Sequence, residues 1–178
     1  NFKDVLIIPS KDQYDFLLNI LENNNGETSL EDRHLMASHA FATSSHYDSA
    51  IFNYFNKDHH LNLFRQSSNE SKVLRYGENP HQSGIFYGNF EGLFDRLNGK
   101  EISYNNLLDI DAAISLLTEF QEPTVVIVKH NNACGLASRK TIEKAWDDAL
   151  AGDPVSAFGG VICVNQNVSV ELAEKMNS

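Results

Sequence analysis

The sequence predicts an α/β protein, because short β-branched runs alternate with stretches of helical periodicity. The clearest strand is Thr124-Val125-Val126-Ile127-Val128, five residues of high β propensity in a row. The clearest helical stripes are Tyr14, Leu17, Leu18 and Leu21, and later Leu107, Leu108, Ala112, Leu116 and Phe120.

Taken in chain order, Val5-Leu6-Ile7-Ile8, closed by Pro9, reads as a buried strand. Ser10 and Gln13 stand at capping-box spacing before the first helix, which Asn23-Asn24-Asn25-Gly26 ends. Thr28 and Glu31 repeat that spacing. A long helix is expected behind them to about Phe55, with Leu35, Met36, Ala40, Tyr47, Ile51 and Tyr54 among its apolar positions. Residues 56–72 are polar and mixed in charge, and Gln66-Ser67-Ser68-Asn69-Glu70-Ser71 has linker chemistry. A domain boundary is therefore expected there, dividing the chain into 1–70 and 71–178. Beyond it, Val73–Tyr76 and Gly84–Tyr87 predict short strands around a polar turn. The stripe from Leu107 to Phe120 predicts a helix, and Thr124–Val128 a strand. Thr141–Leu150 predicts a helix stopped by Gly152, Gly160–Val164 a strand, and Ser169 the cap of a last helix.

Of the 178 residues, 42% are hydrophobic and 21% charged, which suits a packed core. The net charge of −10 argues against a general nucleic-acid binder, which needs a basic surface to neutralise phosphates. A small anion remains compatible, since a few local Arg, Lys and His residues can serve one phosphate. Two cysteines, Cys134 and Cys163, are too few for a disulfide scaffold or a four-thiolate zinc site. The apolar stretches are strand-sized, nothing reads as a signal or transit peptide, and a cytoplasmic enzyme domain is the default reading. The chain begins at Asn1 without methionine and stops at Ser178 inside a helix-like pattern, so it reads as an internal piece of a longer chain.

Three clusters could carry chemistry. Leu74-Arg75-Tyr76-Gly77-Glu78-Asn79-Pro80-His81-Gln82 places a guanidinium, a phenol, an amide and an imidazole in one turn-rich segment. Arg75 can grip a phosphate or carboxylate with its fork of donors, and Tyr76 can hydrogen-bond or stack. An ordinary polar loop is the alternative. Lys129-His130-Asn131-Asn132-Ala133-Cys134-Gly135 follows the Thr124–Val128 strand, and in open α/β sheets ligands bind beyond the carboxyl ends of strands. The neighbouring ammonium favours a neutral imidazole, the form that acts as a base. Adjacent strand residues point to opposite faces, so both can serve one site only if the chain leaves strand geometry here. The alternative is a hydrogen-bonded histidine at a strand end. In the third cluster, Asp153–Gly160, paired glycines admit close approach to the backbone, though a tight structural turn explains them as well. Asn105-Asn106 is explained by helix capping. His34, His39 and His46 lie on the long helix, and no metal-ligand spacing stands out.

In this order the segments Leu74–Gln82, Asn105-Asn106-Leu107-Leu108-Asp109, Val128–Gly135 and Ser156-Ala157-Phe158-Gly159-Gly160 resemble the AICAR transformylase/IMP cyclohydrolase family. The resemblance covers essentially the whole chain. It implies that residues 1–70 are the end of a cyclohydrolase domain with a methylglyoxal-synthase-like fold. Glu31-Asp32-Arg33 through Ala40-Phe41, and Tyr47–Ile51, would be its closing helices. Residues 71–178 would be the first part of a transformylase domain related to cytidine deaminases. The implied reaction moves a formyl group from the co-substrate 10-formyltetrahydrofolate to the 5-amino group of AICAR, giving FAICAR, which the parent enzyme closes to IMP. By position, Arg75 and Tyr76 would hold the AICAR phosphate and its neighbouring groups, and Asn106 and Gly159 would line the nucleotide pocket. His130 would be the base, Lys129 would tune it and stabilise developing charge, and His81 would assist. No metal is required, and a homodimer would complete the site. The cyclohydrolase lysine would fall just upstream of Asn1, so the chain alone is expected to be inactive.

Two other readings compete. A zinc deaminase needs His-x-Glu and Pro-Cys-x-x-Cys, whereas His130 precedes Asn131-Asn132 and Cys134 lacks a partner at that spacing. A non-catalytic nucleotide-binding or dimerisation module would keep the pocket but has no use for adjacent Lys129 and His130.

Overall fold

Short hydroxyl side chains start most of the helices. In the computed structural model, which describes residues 1–177, the chain divides into two units, Asn1–Glu70 and Ser71–Ser178.

In the first unit, Ser10 caps a single turn, Lys11–Gln13, that leads into α1 (Tyr14–Asn23). Its hydroxyl accepts from the Asp12 amide rather than from Gln13. The chain leaves α1 as expected: Asn25 and Gly26 take positive φ values of 54° and 82°, and the Gly26 amide returns to the Leu21 carbonyl at 2.8 Å. Helix α2 (Leu30–His59) begins one residue later than the Thr28/Glu31 spacing suggests. Ser29 and Asp32 form the reciprocal capping box, while the Thr28 hydroxyl accepts from the Arg33 guanidinium. The Ser29 hydroxyl, and then its backbone N–H, hold the Asp32 carboxyl below the usual carboxylate range. The helix runs one turn beyond Phe55, to a left-handed stop at His60.

Val5–Ile8 is not a strand. None of residues 1–70 forms a strand that could pair with it, and an unpaired extended segment has no ladder to satisfy its backbone. It lies along α2 instead. The Arg33 Nε donates to the Phe2 carbonyl, and Val5 and Ile7, with Ala37, Ala40 and Phe41, border a shallow hollow. Ile20 and Met36 are the buried apolar residues here, and Leu35, Tyr47, Ile51 and Tyr54 stay exposed because α2 has little to pack on within this unit.

The second unit opens with a small antiparallel pair, β1 (Ser71–Val73) and β2 (Ile85–Tyr87). Helix α3 (Tyr104–Leu117) follows, with Ser103 as its cap. Three strands, β3 (Thr124–Lys129), β4 (Asn132–Ser138) and β5 (Val161–Val164), make a sheet in the order β4-β3-β5. The remaining helices are α4 (Ile142–Leu150), capped by Thr141, the four-residue α5 (Pro154–Ala157), capped by Asp153, and α6 (Val170–Asn177). Ser169 accepts from the Leu172 amide at the start of α6.

The mixed α/β class holds, but both sheet pairings are antiparallel. β4 has no counterpart among the elements expected from the sequence. Its Ala133-Cys134-Gly135 stretch carries a bulge where the register shifts between Ile127 and Val128, which hides the alternation a strand would show.

Strand β3 is the centre of three layers. Thr124 through Val128 have no accessible surface. Val125 and Ile127 pack with Ala145, Trp146 and Ala149 of α4 and Leu172 of α6. Val126 and Val128 pack on the other face with Ala113 of α3. Each such aliphatic side chain contributes about 2 kcal/mol relative to exposure. Cys134 and Cys163 sit on opposite faces as free thiols, and burial pushes the Cys163 thiol up.

Helix α4 lies so close to β4 that a Cβ on Gly135 would fall 2.0 Å from the Ala149 carbonyl oxygen. Gly135→Ala is therefore expected to cost about 3 kcal/mol in urea denaturation, because the obstacle is backbone rather than a movable side chain.

Candidate active site

The Arg75–His81 segment is a folded loop rather than a strand end. Arg75 and Tyr76 lie beyond β1, and the Arg75 amide donates to the Ile102 carbonyl at 2.9 Å. The Tyr104 amide donates to the Tyr76 carbonyl at 3.2 Å, so the loop is tied to the first residue of α3. Inside the loop, the Gln82 side-chain oxygen accepts from the Asn79 amide at 2.8 Å, and the Gly77 amide donates to the Gln82 carbonyl at 2.8 Å. Gly77 and Gly84 are packed backbone to backbone: a Cβ on Gly84 would meet the Tyr76 carbonyl at 3.0 Å. His81 is exposed at the tip of this loop.

Arg75 Nη2 donates to the Tyr76 phenol oxygen at 2.9 Å, and its guanidinium lies 4.7 Å from the Tyr76 ring centre. The Ser103 hydroxyl is the first, and Arg75 the second, of the groups that hold the Tyr76 phenol below its ordinary range. Ser103 is buried and donates to Asn106 Oδ1 at 2.8 Å, closing the capping box of α3. The oxygen of Asn106 is thus committed to the cap, and its amino end is what it can offer a ligand. Arg75 and Asn106 both border a hollow of about 380 Å³ walled by Phe90, Phe94, Ile102 and Ile110.

Lys129 and His130 sit at the tight turn between β3 and β4. Lys129 pairs with Asn132, leaving His130 and Asn131 as a two-residue loop with φ of 51° and 62°. Positive φ at both positions is the type I′ hairpin geometry, which normally draws Asn-Gly. The chain does leave strand geometry at His130, but through a hairpin in an antiparallel sheet, so the expectation that ligands bind beyond the carboxyl ends of strands, which holds for parallel sheets, does not carry over.

Lys129 Nζ donates to the Phe158 carbonyl at 2.9 Å. Its neighbour Gly159 has φ of 76° and borders a second hollow of about 280 Å³ with Ile127 and Trp146. The Asp153 carboxyl, held chiefly by the Ser156 hydroxyl and then by the backbone amide of Ser156, stays below the usual range. Lys129 adds a weaker attraction to it.

Helix α3 joins the two clusters. Asn105 Nδ2 donates to the Glu78 carbonyl of the loop at 2.9 Å, and Asp109 Oδ1 accepts from the Asn131 amide of the hairpin at 2.7 Å. Residues four apart share a helix face, so the two attachments are one turn from each other. The structure therefore brings Arg75, Tyr76 and Asn106 together, links Lys129 with the Phe158-Gly159 corner, and anchors the His130 turn to α3. No hydrogen bond ties His81 to these residues, and Gly159 borders a different hollow from Arg75 and Asn106. Ser103, Asn105 and Asp109, to which the sequence motifs assign no site role, make the hydrogen bonds that hold these segments. The capping expected of Asn105-Asn106 holds for Asn106, which completes the box with Ser103 as N-cap, while Asn105 reaches the loop instead; the i, i+4 spacing of Asn105 and Asp109 is the signal in the sequence.

These features define a mixed α/β protein in which a loop bearing Arg75 and Tyr76 and a turn bearing His130 are both attached to one helix. Along residues 1–178 the chain matches the family described as the AICARFT/IMPCHase bienzyme, and it belongs to that family. It is 58% identical over 177 residues to the bifunctional purine biosynthesis protein PurH of Bacteroides thetaiotaomicron, covering 99% of this chain and 35% of that protein. It is 42% identical over 188 residues to PurH of Caldicellulosiruptor bescii (99% of this chain, 36% of that protein). The value is 41% over 186 residues for PurH of Rippkaea orientalis (97% and 36%). The chain thus spans about a third of the length of the curated relatives it matches. Among the described residues, no helix is long and apolar enough to cross a membrane.

The Tyr76 phenol is expected to titrate below about 10 by ultraviolet difference absorbance against Tyr76→Phe, and Ser103→Ala to return it toward that value. With the folded value lowered, the phenolate's stabilising contribution is complete above about 10 and is lost as pH falls through the folded midpoint.

Proposed function

We propose that this chain is a segment of a bifunctional purine-biosynthesis enzyme and that it carries part of a formyl-transfer site acting on AICAR and 10-formyltetrahydrofolate. In this reading residues 1–70 close a methylglyoxal-synthase-like cyclohydrolase domain. Residues 71–178 begin a cytidine-deaminase-like transformylase domain. The remaining parts of both sites come from the rest of the enzyme and from a homodimer partner, and the isolated chain is inactive. The observation that carries the reading is the attachment of the Arg75–His81 loop and the His130 turn to one face of α3.

The chemistry follows from those groups. The AICAR amine is conjugated with its ring and is a weak nucleophile, so orientation and removal of its proton limit the reaction. Arg75 grips the phosphate while Tyr76 and the amino end of Asn106 fix the nucleotide. The amine nitrogen bonds to the formyl carbon as His130 takes the amine proton. The bond from that carbon to the folate nitrogen then breaks, and the proton held by His130 passes to the departing nitrogen, which regenerates the base. Lys129 gives one N–H to Phe158 and keeps two for the developing oxyanion. His81 assists from the loop tip, Gly159 lets the ligand approach the backbone, and neither bond change calls for a metal. FAICAR is then closed to IMP elsewhere in the enzyme.

In the full-length enzyme, His130→Ala is expected to lower kcat for formyl transfer by about 10² to 10⁴ while AICAR affinity changes little. Parallel loss of both in calorimetry and steady-state kinetics would favour a pure binding module. Arg75→Ala is expected instead to weaken AICAR binding by about 10- to 100-fold, the worth of a charge-assisted pair.

A further inference from the structure

We propose that Asp109 is a positioning residue for His130, acting through the backbone of the β3–β4 turn; this rests on His130 being the base in formyl transfer.

The peptide joining His130 to Asn131 is gripped at both ends. Its carbonyl accepts from Asn132 Nδ2 at 2.8 Å, and its N–H donates to Asp109 Oδ1 at 2.7 Å. A two-residue hairpin loop leaves that peptide outside the strand ladder, so both of its groups need partners from side chains. The need is sharper here because neither loop residue is glycine: His130 and Asn131 both stand in the left-handed region, which side chains other than glycine adopt at a cost. The Asp109 carboxylate makes a charge-assisted bond to the Asn131 amide, which the turn leaves outside the strand ladder. Once the peptide plane is fixed, the Cα–Cβ direction of His130 is fixed with it.

Asp109 is also well placed to set a distance. Four residues earlier on α3, Asn105 holds the Glu78 carbonyl of the loop that carries Arg75, Tyr76 and His81. The helix therefore spaces the base from the nucleotide-gripping loop with the rigidity of one hydrogen-bonded turn. Asp109 touches no reacting atom in this account. Its effect is confined to where His130 stands.

The test uses the full-length enzyme, with AICAR binding followed by calorimetry, formyl transfer by steady-state kinetics, and folding by thermal melting. Asp109→Ala is expected to lower kcat by about 10- to 100-fold, the penalty of a misplaced base. AICAR affinity should stay within about threefold of wild type. Asp109→Asn, which still presents an acceptor oxygen, should recover most of the rate. Adding Asn131→Gly to Asp109→Ala should also restore part of it, because glycine takes the left-handed shape without help. If Asp109→Ala does not fold, Asp109→Ser, too short to reach the amide, takes its place with the same expected readings. Unchanged kcat in the truncated variant, equal loss of rate and binding, or failure of both Asn and the added glycine to rescue would each overturn the proposal. His130→Ala separates the layers. If that variant keeps formyl transfer, the base assignment itself has failed; if it collapses while Asp109→Ala does not, only the positioning role falls.

Discussion

The layering of the second unit depends on the complete burial of Thr124–Val128 in β3. Five consecutive residues with no accessible surface cannot all face one layer, because alternate side chains of a strand point in opposite directions. Val125 and Ile127 must be covered from one side, and Val126 and Val128 from the other. That requirement places α4 and α6 on one face and α3 on the opposite one. It also fixes where the strand ends, so that Lys129 and the His130 turn emerge at a defined edge of the sheet.

Helix α3 carries this packing into the candidate site. Its buried side meets β3 through Ala113, while its N-terminal turns carry Ser103, Asn105, Asn106 and Asp109. Each uses a hydrogen bond that a helix end or a loop would otherwise lack. Ser103 and Asn106 cap the helix, Asn105 holds the Glu78 carbonyl, and Asp109 holds the Asn131 amide. One element therefore satisfies its own terminus and two neighbouring loops, and polar groups distant in sequence are positioned by the same short stretch. The Lys129 ammonium joins the Phe158-Gly159 corner to this arrangement from the other face.

The first unit shows what happens when patterning lacks a partner. Val5–Ile8 has strand composition, yet a strand is stabilised by pairing and none is available within residues 1–70. Helix α2 has the caps and length of a helix, yet most of its apolar positions are exposed. Local signals fixed its start and stop to within a few residues, and burial did not follow, because burial depends on the surfaces offered by other segments.

The sequence alone determined whatever depends on neighbours in the chain. The β-branched run Thr124–Val128 had to be a strand, Thr141 and Ser169 had to begin helices, and Gly26 had to end one, because propensity, capping and left-handed backbone are local properties. The order of the motifs from Leu74 to Gly160 was equally legible and was enough for the family. Only the tertiary structure decided that β4 is a strand, that the sheet is antiparallel, and that Asn105 and Asp109 each reach a loop 22 or more residues away. Those outcomes rest on hydrogen bonds between distant segments, and no single stretch of sequence contains both the donor and the acceptor.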